Sequence, residues 1–433
     1  MNPSIRQFGE LVDRLMASQW MPEELLQASQ REPLYRLAEQ ASKQSPLIRR
    51  RLAEAGLRPE DIAAPGGLAR MPLLRRRDFQ LAAAELYCAE VPREHGPVNV
   101  LRTSGSTGEP VAVRRTHLTD LHWYALTMRD HHWHEREFSG RFSAIRPTMP
   151  GHVRLPNWGP PTSVLHPTGP AQAIPITAEI GQQAEWLAEF SPNVLLSFPS
   201  VAEAIARHLR EHGQRLPELR RVKTIGETLS ARLRQEIETG FGAPVVDIYS
   251  SHEVGIIAVQ CPESDLYHAM AENLIVEILD AEGRPCAEGE AGRIAITDLH
   301  NHATPIIRYE IGDWAERGGP CRCGRGLPTI RRVLGRERNL VAMPDGSRRY
   351  PLVGFMRFRE VAPVLQYQFV QHAIDRLEMR LVTETPLSAS QEADLTAIVQ
   401  KALGFSFALG FTYFPDRIPR AASGKFEEFI CRI

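Results

Sequence analysis

Apolar residues recur at helical spacing between residues 21 and 57. Leu25, Leu26, Leu34, Leu37 and Ala38 share one stripe, and Pro33 predicts a break in it. The leading stretch MNPSIRQFGELVDRLM intersperses charges with apolar residues, as an amphipathic helix does. Beyond the Gly66-Gly67 pair, Pro97–Leu101 and Val111–Arg115 read as two strands around a tight loop, Thr103–Pro110. Leu118–Trp133 reads as a helix. The pattern then alternates to about His300: strand Val194–Phe198, helix Val201–Arg210, strand Val222–Ile225, helix Ala231–Thr239, strand Val245–Tyr249. Such alternation predicts α/β layering on a largely parallel sheet. Asn273–Asp280 and Gly292–Thr297, joined by Gly- and Pro-containing turns, predict an antiparallel pair.

Near Gly335 the character changes. A hairpin is expected from Asn339–Met343 and Arg348–Leu352 around Asp345-Gly346, then a helix near Val353–Glu360. Alternating strands Val364–Gln371 and Arg376–Thr383 follow, with Leu377, Met379 and Leu381 on one face. A helix, Gln391–Leu403, and a strand, Ala408–Phe414, complete the pattern. The 433 residues exceed what one core holds. The expected organisation is therefore a large α/β domain over residues 1–335 and a small α+β domain over 336–433. There is no internal repeat and no low-complexity tract.

Composition narrows the class. Lys plus Arg is 51 and Asp plus Glu is 52. That balance offers neither a basic field for nucleic acid nor an electrostatic membrane surface. No apolar run approaches the ~18 residues of a membrane span, and the N-terminus lacks a signal peptide's apolar core and cleavage site. The cytoplasm is the expected location. Six cysteines are too sparse for a secreted disulfide framework.

The strongest chemical signal is Thr103-Ser104-Gly105-Ser106-Thr107-Gly108-Glu109-Pro110 between two predicted strands. Its glycines allow close backbone approach, and its hydroxyls and N–H groups suit phosphate oxygens. No Gly-Lys-Ser/Thr ends it, so it is not a Walker A loop. Further along come Gly226-Glu227-Thr228 and Asp247-Ile248-Tyr249-Ser250-Ser251-His252-Glu253, each after a strand. Arg308-Tyr309-Glu310-Ile311-Gly312-Asp313, Gly335-Arg336 and Pro419-Arg420-Ala421-Ala422-Ser423-Gly424-Lys425 follow. This ordered series resembles the core motifs of the acyl- and aryl-CoA synthetase superfamily of adenylate-forming enzymes. It is most similar to the phenylacetate-CoA ligase-like and coenzyme F390 synthetase-like branch.

The resemblance implies an adenylation domain with a small C-terminal domain that rotates about a hinge at Gly335–Asn339. It implies an ATP-dependent ligase that activates a carboxylic acid as acyl-AMP, releasing pyrophosphate, and passes the acyl group to CoA. It also implies roles. Thr103, Ser104, Gly105, Ser106, Thr107 and Gly108 would hold the β- and γ-phosphates. Glu253, with Thr107, would hold Mg²⁺, a cation that prefers oxygen ligands. Gly226, Glu227 and Thr228, with Asp247, Ile248, Tyr249 and Ser250, would line the adenine, Tyr249 stacked on it. Asp313 would bind the ribose hydroxyls, Arg336 the ribose or α-phosphate. Lys425 would bridge the acid and the α-phosphate. Phe138, Phe142 and Trp158 fall where the family walls its acyl pocket.

Cys261, His268, Cys321 and Cys323 form a set suited to one structural zinc, and some members of the resembled branch carry Cys and His there. Cys88, Cys286 and Cys431 read as ordinary buried thiols. His131 and His134 share a helix face, which more simply faces solvent or a pocket than a metal. His300 and His302 read as loop polarity.

The acceptor is less determined. The family has a Gly-containing loop followed by Pro-x-x-Ile-Glu after the hinge. Here Met343–Pro351 forms a different hairpin, where the family shapes its pantetheine tunnel. Alternatives to CoA are an amine, a hydroxyl, a carrier protein or a nucleotidyl adduct. A non-catalytic nucleotide-binding protein is a third reading, set against the presence of Lys425, Glu253 and Asp313.

Overall fold

The computed structural model describes the chain except residues 1–2, 103–111, 148, 337–338, 347, 350–354 and 421–425. The N-terminal stripe folds into helices Pro3–Ser18, Glu23–Ser29, Arg31–Gln44 and Pro46–Ala55. The break falls at Gln30 rather than Pro33. Pro33 lies in the first turn of its helix, where a missing N–H leaves no intrahelical bond unmade. The last of the four shows why short helices stop where they do. Ser45 Oγ accepts from the Ile48 N–H, Pro46 takes the first position, and Gly56 closes the helix in the left-handed region.

The strands in chain order are β1 Leu74–Arg75, β2 Val98–Arg102, β3 Ala112–Thr116, β4 Phe142–Arg146, β5 Val153–Leu155, β6 Ala171–Pro175, β7 Val194–Ser197, β8 Arg221–Ile225, β9 Val245–Ser251, β10 Gly255–Gln260 and β11 Tyr267–Ala269. They continue as β12 Leu274–Leu279, β13 Ala291–Asp298, β14 Tyr309–Arg317, β15 Thr329–Arg336, β16 Val341–Ala342, β17 Arg348–Arg349, β18 Val364–Ala373, β19 Arg376–Thr383, β20 Ala408–Tyr413 and β21 Phe429–Cys431. Thirteen of them form one sheet in the order β12-β13-β14-β15-β11-β10-β9-β8-β7-β4-β6-β5, with β1 beside β14. The neighbours β6, β4, β7, β8 and β9 run parallel. Along the order from β9 to β12 successive neighbours are antiparallel, while the short β1 joins β14 in parallel. The expectation of a largely parallel sheet therefore holds for one half only. The cause is connection length. Helices Pro199–Glu211 and Ala231–Phe241 supply crossovers after β7 and β8, but only residues 252–254 separate β9 from β10. So short a link can only turn the chain back.

The parallel half packs on those helices through Leu195, Ile205, Val222 and Ile237. The antiparallel half packs on the N-terminal helices through Ile48, Phe79, Ile296 and Tyr309. A separate four-stranded sheet, β20-β19-β18-β21, follows residue 336 and has its own core of Phe358, Phe369, Leu395 and Phe407. Leu377, Met379 and Leu381 are buried on it as their alternation requires. The hairpin expected around Asp345-Gly346 is present as β16 and β17. Among the described residues no helix is long and apolar enough to cross a membrane.

Candidate active site

The predicted nucleotide motifs follow the C-terminal ends of the parallel strands. Gly226-Glu227-Thr228 leaves β8, and Ser250 and Glu253 lie at and just beyond the end of β9. This edge is where open α/β sheets place ligands. The hairpin of β14 and β15 brings Asp313 and Arg336 opposite one another as a register pair. Arg336 Nε lies 2.9 Å from Asp313 Oδ1, and the Tyr249 hydroxyl donates to Asp313 Oδ2 at 2.7 Å. Burial, then the Asp313 carboxylate, holds the Tyr249 phenol well above its usual range. The Asp313 charge in turn raises the Arg336 guanidinium. Tyr249, Asp313 and Arg336 thus come from three strands to one cluster. Gly335 has φ +87°, and a Cβ there would stand 2.7 Å from Thr228 Oγ1. A side chain at 335 would push the Thr228 turn off the Arg336 strand.

Two other expected adenine-lining residues face inward. The Asp247 carboxylate accepts from Thr224 Oγ1 at 2.6 Å and from the Tyr267 hydroxyl at 2.9 Å. Its pKa is pushed up to about 6 by burial. Ile248 packs against Val259 and the helix His117–Trp133. Alternation along β9 forces the Ile248 orientation. Tyr249 faces the cluster with Asp313, so Ile248 points to the opposite face.

Glu253 is buried, and its Oε1 lies 3.1 Å from Arg76 Nη1. Arg76 stands in a run of three arginines, Arg75-Arg76-Arg77, and nothing in that run singles it out in sequence. The Glu227 carboxylate is taken up by other partners. It accepts from the Ser200 N–H and Oγ and from the Phe426 N–H, each at 2.9 Å. Thr103, Ser104, Gly105, Ser106, Thr107 and Gly108, and Lys425, lie outside the described residues.

Cys261, His268, Cys321 and Cys323 converge, with ligand atoms all within 4.8 Å of one another. Cys261 Sγ and Cys321 Sγ are 3.7 Å apart, and Cys323 Sγ is 3.3 Å from His268 Nε2. A tetrahedral zinc with Zn–S of about 2.3 Å holds its sulfurs about 3.8 Å apart, so the spacing fits that ion. His268 Nδ1 faces the Leu327 carbonyl at 3.3 Å, which fixes Nε2 as the ligating nitrogen. The Glu263 N–H donates to Cys261 Sγ at 3.4 Å. Sulfur, imidazole and two loops therefore form a closed donor set. It lies at the far end of the β14–β15 hairpin from the Arg336 terminus.

His131 and His134 are buried rather than turned to solvent. They surround buried Asp130, which pairs with Arg136 and with Lys223 Nζ at 2.6 Å. Phe138, Phe142 and Trp158 pack on one another. Trp158 stacks on Phe142 at 5.0 Å and meets Phe138 edge-on. Phe142 starts β4, in register with Val194 and hence Arg221, at the N-terminal ends of the parallel strands. This is the edge opposite the nucleotide motifs, because a parallel strand delivers its two ends to opposite sides of the sheet.

A family model described as AMP-binding enzyme matches residues 27–301, more than half of the chain. A phenylacetate-coenzyme A ligase of Thermus thermophilus is 28% identical over 394 residues, 84% of this chain and 83% of that one. Among solved structures, a 2-hydroxyisobutyryl-CoA ligase in a postadenylation state with its acyl-AMP aligns with a TM-score of 0.76 at 21% identity. The alignment covers 95% of this chain and 90% of that one. The same ligase in its thioesterification state with acyl-AMP and CoA aligns at 0.62.

Proposed function

Because the chain belongs to the AMP-binding enzyme family, we propose that it activates a carboxylic acid with ATP and transfers the acyl group to CoA. The observation that carries this reading is the Tyr249–Asp313–Arg336 cluster, built by three strands beside the Gly226–Thr228 turn. Asp313 presents a carboxylate suited to two ribose hydroxyls. Arg336, held by that carboxylate, places a fixed positive charge beside them. In the first step a carboxylate oxygen of the acid bonds to the α-phosphorus of ATP and the bond to pyrophosphate breaks. Both partners are anionic, so fixed cations and N–H donors lower the barrier. Lys425 and Arg336 supply charge, and Thr103–Gly108 supplies hydroxyls and N–H groups. In the second step the CoA sulfur bonds to the acyl carbon and AMP leaves. Residues 336–433 form the domain that moves between the steps, with the family's hinge at Gly335–Asn339.

Acid labelled with ¹⁸O in its carboxylate tests the reaction. One labelled oxygen is expected in the AMP released when product forms with CoA. Unlabelled AMP with labelled phosphate or pyrophosphate would contradict acyl-AMP chemistry. Product mass with and without CoA tests the acceptor. A thioester supports CoA, and an adduct formed equally well without it transfers the role to another nucleophile.

Glu253 would hold Mg²⁺, and Arg76, 3.1 Å from Oε1, would fix the direction of its carboxylate. When bound, the ion would offset phosphate charge. Glu253→Gln keeps shape but removes charge, and is expected to raise the Mg²⁺ needed for half-maximal adenylation by about 10-fold. An unchanged Mg²⁺ titration would exclude a ligand role.

Asp313→Asn retains a hydrogen-bonding side chain but unbalances Arg336 and removes one acceptor oxygen. It is expected to raise KM for ATP by about 10-fold, the worth of one charge-assisted hydrogen bond. Loss of kcat alone, at constant KM, would place Asp313 outside the ribose site.

The Cys₃His cluster is assigned one structural zinc, which would be held by Cys261, His268, Cys321 and Cys323. All four positions are filled by protein, which leaves none for catalytic water.

A further inference from the structure

Glu227 belongs, by its place in sequence, with the residues expected to line the adenine. Its geometry gives it other partners. The side chain is only 3% exposed, and both oxygens are engaged. Oε2 accepts the Ser200 N–H at the start of the helix Pro199–Glu211, and Oε1 accepts the Ser200 hydroxyl. Oε1 also accepts the Phe426 N–H at 2.9 Å. That amide is the one that joins Phe426 to Lys425. On the other side of residues 421–425, Arg420 Nη1 donates to Ser200 Oγ at 2.6 Å and lies 3.6 Å from Glu227 Oε1. The two residues flanking the Lys425 segment are therefore tied to one small patch of the large domain.

A second tie stands two residues further on. Glu428 Oε1 accepts from Arg232 Nε at 3.2 Å and Nη2 at 2.6 Å, while Oε2 accepts from the Tyr367 hydroxyl at 3.2 Å. Arg232 lies on the helix Ala231–Phe241 of the large domain, Tyr367 and Glu428 on the C-terminal part. The Glu227 carboxylate, buried with three donors and the nearby Arg420 guanidinium, is costly to leave unpaired. Its hydrogen bonds stabilise only the pose in which the C-terminal segment lies against the turn after β8.

Resting on the adenylation reading, we propose that Glu227 is a positioning residue and not a nucleotide contact. With Ser200 and Arg420 it forms a latch that ties Arg420 and Phe426, which precede and follow residues 421–425 in sequence, to the turn after β8, and this tied pose serves the first half-reaction. The latch acts through Lys425, so its loss slows acyl-AMP formation without weakening ATP binding.

Glu227→Gln removes the charge that faces Arg420 and replaces one acceptor oxygen with a donor. Arg420→Ala removes the cation, and Arg420→Lys restores charge. The probes are ATP, Mg²⁺ and phenylacetate, or whichever acid in a panel gives the wild type its fastest pyrophosphate exchange, with the matching synthetic acyl-AMP. Glu227→Gln and Arg420→Ala are each expected to lower kcat for exchange by about 10-fold, with KM for ATP within about 2-fold. Conversion of supplied acyl-AMP to thioester is expected to stay within about 2-fold, and Arg420→Lys to recover most of the exchange. A raised KM for ATP at unchanged kcat would make Glu227 a nucleotide contact. Equal loss in both half-reactions would reduce it to a fold residue. Amide hydrogen exchange on the substrate-free protein gives a readout independent of chemistry: Glu227→Gln is expected to speed exchange at Phe426 and Ser200. Unchanged protection there overturns the latch. Absence of acid-dependent exchange in the wild type overturns the adenylation reading instead.

Discussion

Lys425→Ala is expected to lower acyl-AMP formation by about 10²-fold or more while leaving the thermal unfolding temperature near that of the wild type. The first transition state brings a carboxylate onto a triphosphate, so negative charge accumulates between two anions. A lysine at that point is worth more in a water-excluded cleft than in solvent. Lys425 immediately precedes Phe426, whose N–H is hydrogen-bonded to Glu227 in the turn after β8. Phe426, its neighbour in sequence, is thus tied to the turn whose Thr228 stands against Gly335. The second step needs no such bridge, because AMP is then the leaving group. Conversion of supplied acyl-AMP should survive in Lys425→Ala. Lys425→Arg should not restore the first step, since a planar fork does not replace a compact ammonium. Pyrophosphate exchange at the wild-type rate in Lys425→Ala would remove the lysine from the mechanism.

Removing the metal is expected to act on stability first. Protein purified without added metal should contain about one zinc per chain. Cys321→Ser with Cys323→Ser should lose it and lower the unfolding temperature by on the order of 10 °C. The reason is local. The loop between β14 and β15 carries Cys321 and Cys323. Cross-linking it to the β10–β11 turn through the ion would fix one end of the hairpin that presents Asp313 and Arg336 to the cleft. Activity should fall only as that hairpin loosens, so KM for ATP should rise before kcat falls. Metal-free protein that unfolds at the same temperature before and after chelator treatment would mean the four residues hold no ion.

Much of this was legible in the residues, for identifiable reasons. The helices Ala231–Phe241 and Ala389–Leu403 announce themselves because Ser230 and Ser388 cap their starts, and Gly242 and Gly404 close their ends. The convergence of Cys261 and His268 with Cys321 and Cys323 could be suspected because thiols and imidazole are scarce and soft. The sheet's change of direction after β9 was harder to see, since it depends on how few residues separate Ser251 from Gly255. Asp247 and Ile248 stand in the same motif as Tyr249, yet strand alternation turns Ile248 to the opposite face, and the Thr224 and Tyr267 hydroxyls occupy the Asp247 carboxylate. Arg76 and Ser200 gave no signal. Their roles come from contacts with Glu253 and Glu227, 177 and 27 residues away in sequence. The edge of the sheet on which Phe138, Phe142 and Trp158 gather was not legible, because order along the chain does not reveal which edge of a parallel sheet a residue occupies.

The central claim is tested most directly by pyrophosphate exchange into ATP over a panel of aryl and small organic acids. Label is predicted to enter ATP only when both Mg²⁺ and an accepted acid are present, and to do so without CoA. Folded protein that binds ATP yet shows no acid-dependent exchange with any member of the panel would contradict it.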